Sequence, residues 1–340
     1  MTEVATAKPD AAKVRLKVRD LAEPALRNVV LVGVLLALLI IGAVTRPDIF
    51  TDPARLWSNE LTVFTQASSI GVVTIGMTFV MIGGGIDLSV GALLALASVW
   101  CTTLATQSYG AGVMVFTALA VAAGAGLVNG LLISYGKLVP FIATLAMMVA
   151  ARGLAQKISG SHTQVNKVAG INSLAVDKLL GVPVLVVILL AVVALGWVLL
   201  NRTTFGRRTV AVGGNAEAAR LAGINVRSQT LLLYVLSGLC CGIAAIMVVS
   251  QTTSGSNTNG DLYELNAIAA AIIGGTALTG GRGTIVGSLL GVLIFTQITN
   301  LFIVNNLPLE IQRIVNGGII VAAALIQQFP VTSLWRSRST

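Results

Sequence analysis

"MIGGGIDLSVGALLALA", residues 81–97, sets a carboxylate, Asp87, inside a membrane-like run, with Gly83, Gly84 and Gly85 before it and Ser89 and Gly91 after it. A glycine triplet favours unwinding, and unwound backbone at membrane depth is tolerated only where protein or water covers it. A charge at that depth costs at least about 2.5 kcal/mol on insertion scales, so it faces a bundle interior, a partner or an aqueous cavity. The stretch therefore reads as a broken span rather than as a loop between soluble elements. Two roles for Asp87 follow. Either it steadies a helix restarting at Leu88, whose free N–H groups a carboxylate or Ser89 can cap, or it contacts a hydroxylated or cationic solute.

Working outward, the 340 residues are 55% hydrophobic and only 10% charged, with a mean hydropathy of +0.89. A soluble domain needs far more charge to cover its surface. Apolar runs reach about 20 residues, the length of a bilayer-crossing helix, whereas barrel strands would give short alternating segments. The runs fall near 29–44, 60–82, 88–106, 111–133, 138–156, 183–200, 229–251, 266–280, 284–303 and 309–328. The fold class is an all-α polytopic transmembrane helix bundle of about ten spans, and no cleaved signal peptide is expected.

Orientation follows from the basic residues, which are retained on the cytoplasmic side. With the N-terminus inside, the inner loops hold fifteen Lys and Arg and the outer loops five, and Arg152 and Arg313 within spans complete the 22. Both termini are thus expected in the cytoplasm. The basic segment 1–28 precedes a transmembrane domain at 29–328, which contains an internal basic loop at 201–228, and a cytoplasmic tail occupies 329–340. The net charge of +9 reflects this topology, and nucleic acid is excluded as a partner on that ground.

Close helix packing in lipid needs small residues. Gly126 with Gly130, Gly238 with Gly242, and Gly283, Gly287 and Gly291 supply GxxxG steps, which serve either an intramolecular bundle or a dimer seam. Cys101, Cys240 and Cys241 sit in apolar runs and read as packing residues rather than as disulfide partners or metal ligands. The lone histidine, His162, lies in the external loop 157–182 and reads as solvated surface. "IGGGIDLSVGALLALA" at 82–97 and "IGGTALTGGRGTIVGSLLGVLI" at 273–294 look like copies on the same side of the membrane, which suggests a parallel duplication.

Candidate pathway residues are Asp87, Ser89, Asn129, Phe141, Thr144, Arg152, Asn266 and Thr276, since neutral donors and acceptors with an aromatic face suit sugar hydroxyls. Several of them would equally well bond neighbouring helices. No phosphate loop, zinc motif or catalytic triad is present, so the chain is not expected to be an enzyme.

Four blocks carry a family likeness: "GGIDLSVGALLALA" (84–97), "NGLLISYGKLVPFIATLAMMVAARGLA" (129–155), "TTFGRRTVAVGGNAEAARLAGINV" (203–226) and "ELNAIAAAIIGGTALTGGRGTIVGSLLGVLI" (264–294). In this order they resemble the permease subunits of bacterial ABC importers for ribose, xylose, arabinose and galactose, from about Leu61 to Gln327. The resemblance implies a multi-pass subunit of the bacterial inner membrane that moves a monosaccharide by alternating access. It further implies a second permease copy or homologue, a cytoplasmic ATPase that holds ATP and Mg, and an extracytoplasmic sugar-binding protein, with no cofactor in this chain. "EAARLAG", Glu217 to Gly223, fits the E-A-A-x-x-x-G pattern through which such permeases engage their ATPase, with Glu217, Ala218, Ala219, Arg220 and Gly223 as the coupling residues. Related permeases carry nucleosides, branched-chain amino acids or a furanose signal molecule. An ion-coupled carrier using Asp87 is a further alternative. The gates are expected near Gly83 to Asp87 and Gly280 to Gly283, where glycines absorb backbone rotation.

Overall fold

The computed structural model describes residues 11–328, with side chains described from residue 26 apart from 323, 324 and 326–328. The expected tail at 329–340 and the first ten residues lie outside the described residues. The described chain begins with α1 (Ala11–Thr45), so most of the basic segment is helical and continuous with the first span. There follow the single turn α2 (Pro47–Phe50), the long α3 (Pro53–Ile82), the short α4 (Val90–Cys101) and α5 (Leu104–Ser108), then α6 (Ala111–Ser134) and α7 (Pro140–Ser159). After α8 (Ala169–Asn172) and α9 (Val184–Arg202) come two helices of the basic loop, α10 (Thr204–Gly214) and α11 (Ala216–Leu221). The last four are α12 (Val226–Thr252), α13 (Tyr263–Ile273), α14 (Ile285–Val304) and α15 (Leu309–Gln328).

Seven of these helices are long and apolar enough to cross a membrane: Leu26–Thr45 within α1, and α3, α6, α7, α9, α12 and α14. The runs expected as full spans at 88–106 and 266–280 are instead short helices of 12 and 11 residues. Local chemistry sets these limits. Thr103 caps α5 by accepting the Thr106 N–H, which splits the first run. Gly274 and Gly275, the latter at φ +85°, end α13. Elsewhere Asp52 takes the N–H groups of Ala54 and Arg55 ahead of Pro53 at the start of α3, and Gly160 at φ +61° closes α7 in a left-handed cap.

The core lies where α3, α4, α6, α12 and α13 meet, around Val73, Met77, Leu93, Leu94 and Met247. All three cysteines are buried there as packing residues. Helices α3 and α12 run antiparallel: Gly83 lies against Leu233, Gly76 against Cys240, and Gln251 Nε2 donates to Thr65 O at 2.9 Å. The GxxxG steps face one another inside the chain. A Cβ on Gly126 would strike the Tyr234 carbonyl and stand 3.3 Å from Gly238 Cα, and one on Gly242 would stand 2.8 Å from Ala118 O. Gly287 and Gly291 likewise admit Gly274 and Ala270 of α13. These glycines make intramolecular seams, as the absence of a hydrophobic drive between helices in lipid requires.

The expected parallel duplication is corrected by helix length and direction. With the five-residue α5 passed over, the order long, short, long, long occurs twice, as α3, α4, α6, α7 and as α12, α13, α14, α15. "DLSVGALLALA" (87–97) then matches "DLYELNAIAAA" (261–271), and the leading helices of the two sets are antiparallel. The repeat is therefore inverted. Its two short helices meet at their N-terminal ends, where Gly91 packs on the Gly260 carbonyl and on Glu264. Small two-residue pairings complete the fold; in one of them Gln164 lies opposite Gly255.

Candidate functional site

The break after α3 is a tight turn: Gly83, Gly84 and Gly85 donate to the carbonyls of Phe79, Met81 and Val80 at 2.9–3.0 Å. Asp87 then points inward, fully buried. Its Oδ1 accepts the Ser89 N–H at 3.0 Å and the Ser89 hydroxyl at 2.5 Å, and its Oδ2 accepts the Ser237 hydroxyl of α12 at 2.8 Å. Asn129 of α6 donates to Ser89 Oγ at 2.9 Å, and its own Oδ1 is buried with no partner among the described residues. Thr144, also buried, donates to Pro140 O at 2.9 Å and stands near the Ile86 carbonyl. One carboxylate thus ties α4, α6 and α12 to the broken end of α3. Of the two caps expected, the Asp87 carboxylate takes the Ser89 N–H, and the Ser89 hydroxyl is turned to Asp87 rather than to α4.

Of the eight candidate pathway residues, Asp87, Ser89, Asn129 and Thr144 come together, and the other four do not join them. Arg152 of α7 grips the non-helical segment 253–262 instead. It donates to the carbonyls of Asn257 at 2.6 Å and Asn259 at 2.9 Å and pairs with Asp261 at 3.0 Å. Asn259 in turn donates to Ser98 Oγ of α4 at 3.2 Å. Arg152→Leu is expected to lower the unfolding midpoint followed by tryptophan fluorescence, since charged hydrogen bonds contribute about 1.5–3 kcal/mol each. Arg152→Lys should recover only part, because an ammonium lacks the planar fork that reaches several acceptors at once. Thr276 is buried near Ser288 of α14, which accepts from Thr78 of α3 at 2.8 Å. Asn266 is half-buried on α13. Phe141 is 53% exposed on α7, so it does not line this site as the expected aromatic face.

Sequence reasoning missed Ser237. It lies 150 residues from Asp87, and its one local signal is its place beside Gly238 on a small-residue face. It also missed Gly213. The end of α10 enters a glycine junction in which Gly281 N–H donates to the Ile82 carbonyl at 2.8 Å. A Cβ on Gly213 would strike that carbonyl and stand 2.8 Å from Gly281 N, and one on Gly280 would stand 2.9 Å from Gly84 Cα. Gly84 and Gly280 adopt φ of +83° and +84°, which L side chains resist. Both expected gates, Gly83 to Asp87 and Gly280 to Gly283, thus touch each other and the end of α10. A cavity of about 460 Å³ opens beside the junction, lined by Gly83–Gly85, Gly213–Ala216, Arg227 and Tyr234 among others.

From Gly214 the chain passes directly into α11. Asn215 caps it by accepting the Ala218 N–H at 2.9 Å. Gly223 at φ +83° closes it, with Gly223 N–H on Arg220 O and Ile224 N–H on Ala219 O, both 3.0 Å. Ala219 is buried against the body, and Ala218, Glu217, Arg220 and Leu221 are exposed. Arg220 pairs with Glu217 at 2.5 Å, and this guanidinium holds the Glu217 carboxyl below the usual range. The exposed face of α11 is a small-residue ledge flanked by one internally satisfied ion pair.

The sequence pattern of the family described as branched-chain amino acid transport system / permease component matches residues 59–324, which takes in the break, the glycine junction and α11. The protein belongs to this family. The permease is 38% identical over 296 residues to the ribose import permease protein of Bacillus subtilis (strain 168), covering 86% of this chain and 90% of that relative. It is 34% identical to the galactofuranose transporter permease protein of Escherichia coli (strain K12), over 88% of this chain and 89% of the relative. To the L-arabinose ABC transporter permease protein of Azospirillum brasilense it is also 34% identical, over 94% and 93%. No solved structure matches the chain. The permease is a multi-pass membrane protein.

Proposed function

We propose that the protein is the membrane-spanning subunit of an ATP-driven importer that carries a pentose or hexose into the cytoplasm of a bacterium across its inner membrane. The observation that supports this most is the likeness to relatives named for ribose, galactofuranose and L-arabinose, each over at least 86% of this chain. The family description alone would favour a branched-chain amino acid, but these relatives speak for a sugar. Cation-coupled transport through Asp87 is disfavoured, because the carboxylate is fully buried and already accepts three hydrogen bonds.

In this reading seven long helices, the half-length α4 and α13, and α15 make ten membrane segments, and the excess of basic residues places both termini and the 201–228 loop in the cytoplasm. Residues 29–328 form the permease domain between a basic N-terminal segment (1–28) and a short tail (329–340). A separate ATPase holds ATP and Mg and docks on the exposed Glu217, Ala218, Arg220 and Gly223, whereas Ala219, expected among them, is buried on the inner face of α11 and takes no part in the contact. A second permease copy or homologue completes the channel, and an extracytoplasmic binding protein delivers the sugar. Closure of the ATPases moves α11, and the glycine junction passes that movement to both breaks at once.

The test is ATP-dependent uptake of labelled ribose, xylose, arabinose, galactose, a nucleoside and leucine by the assembled complex in proteoliposomes. Uptake of a monosaccharide supports the reading; uptake of the nucleoside or an amino acid in its place, or accumulation by this chain without ATP, defeats it. Glu217→Lys sets two cations side by side on α11 and should abolish ATPase binding in a pull-down while leaving membrane insertion intact. Normal uptake by that variant would remove α11 from the docking role.

A further inference from the structure

At the end of α3 and α12 farthest from α11 lies a second cleft, of about 630 Å³. Its walls carry Ser58, Thr62, Thr65 and Gln66 of α3, Gln251 of α12 and Tyr263 of α13. Ser58, Thr62 and Gln66 are spaced by four residues, so they share one face of α3, and all three are exposed. They lie toward the outer end of a 30-residue helix, longer than the ~20 residues a bilayer needs, and the Thr62 hydroxyl donates to Ser58 O at 3.0 Å, which leaves its oxygen free to accept. Polar groups in a span face a bundle interior or water, because hydrocarbon satisfies none of their hydrogen bonds. The exposed faces of α6 and α7 are the reverse, with Phe116, Leu131, Ile142 and Val149.

The floor of the cleft is already organised. Tyr263 Oη lies 3.2 Å from Ser69 Oγ, and Gln251 is held by its bond to Thr65 O. Below Ser69 the chain closes on Val72 and Val73, both fully buried, and on Gly76, packed against Ser237 and Cys240 of α12. The cleft is therefore an open cup in which these polar groups sit among Leu61, Ala175, Val176 and Pro183. Among the residues that line it, Lys178 supplies the one charge and no carboxylate is present. A zwitterionic amino acid would leave its ammonium uncompensated there, whereas a polyhydroxylated neutral molecule would meet hydroxyl and amide partners and one aromatic ring.

We propose that this cup is the receiving site at which a neutral saccharide first binds the permease after release from its binding protein, with Thr62 and Gln66 as contact residues. The inference rests on the sugar-import reading and adds the site to it. Both residues are exposed, so their replacement leaves the fold intact.

The experiment uses the complete transporter in proteoliposomes, with its ATPase and binding protein and the labelled monosaccharide the wild type carries. The double variant Thr62→Val, Gln66→Leu is expected to slow uptake about tenfold, the equivalent of losing one or two net hydrogen bonds. ATP hydrolysis and co-purification of the ATPase should remain at wild-type levels. In a second arm, Thr62→Cys should react with a membrane-impermeant thiol reagent added from outside, and saturating sugar should slow that reaction. Unchanged uptake by the double variant overturns the proposal. So does a Thr62→Cys that fails to react, since a second permease copy or lipid then covers the face. A wild-type complex that takes up no monosaccharide defeats the functional reading itself, a result visible before any variant is made.

Discussion

Asp87→Ala should remove most folded permease from a detergent extract, read as loss of the monodisperse peak in size-exclusion chromatography. The substitution strips the acceptor from the Ser89 N–H, the Ser89 hydroxyl and the Ser237 hydroxyl, all buried. An orphaned buried donor costs about 1–3 kcal/mol, and three of them take up a large share of the roughly 5–15 kcal/mol that keeps a typical protein folded. Asp87→Asn is the informative partner. Its Oδ1 can still accept both Ser89 donors, and its amide can donate to Ser237 Oγ after the hydroxyl rotates. Asn should therefore restore most of the folded yield. A folded Asp87→Ala protein would show that the cluster does not hold the break. A well-folded Asp87→Asn protein without uptake would assign the charge itself to transport.

The second large effect is expected at the glycine junction. In Gly213→Val the new side chain meets backbone rather than a flexible neighbour, so no rotamer change relieves the clash with Ile82 O and Gly281 N. Overpacking of this kind costs about 1–3 kcal/mol or more, and here the relief available is to part α10 from the two breaks. Uptake should fall at least tenfold, on the order of 1.4 kcal/mol in barrier terms, while the ATPase still binds and hydrolyses ATP. Gly214→Ala is the control: a Cβ there meets nothing within 4 Å, so near-normal uptake is expected. Equal uptake by Gly213→Val and wild type would show that the drive from α11 does not pass through this junction.

What could be read from the sequence was local. The unwinding at Gly83–Gly85 and the αL stop at Gly223 follow from residue types within a few positions of one another, whereas Ala219, expected as a coupling contact, is turned into the body. The lengths of α4 and α13 were not legible, because a hydropathy run continues through Thr102 and Thr103 or through Gly274 and Gly275 without registering a cap. Nor was the partner of Asp87, since nothing in a chain marks which hydroxyl 150 residues away will face a given carboxylate. Phe141 looked like a stacking surface by residue type, and the turn of α7 sets it outward. The duplication was seen through its glycines, which recur wherever backbones touch. The order of helix lengths, invisible until the caps are known, aligns the copies, and the antiparallel run of α3 and α12 shows them to be inverted.

The seam between α6 and α12 also has a consequence for biogenesis. Ribosomes make about 5–20 residues per second, and α6 ends at Ser134 while α12 is complete only at Thr252. For roughly ten seconds the notch at Gly126 and Gly130 stands in the bilayer without the helix that fills it. Until α12 arrives the notch is open to lipid or to another helix, and slower translation of residues 135–252 lengthens that exposure.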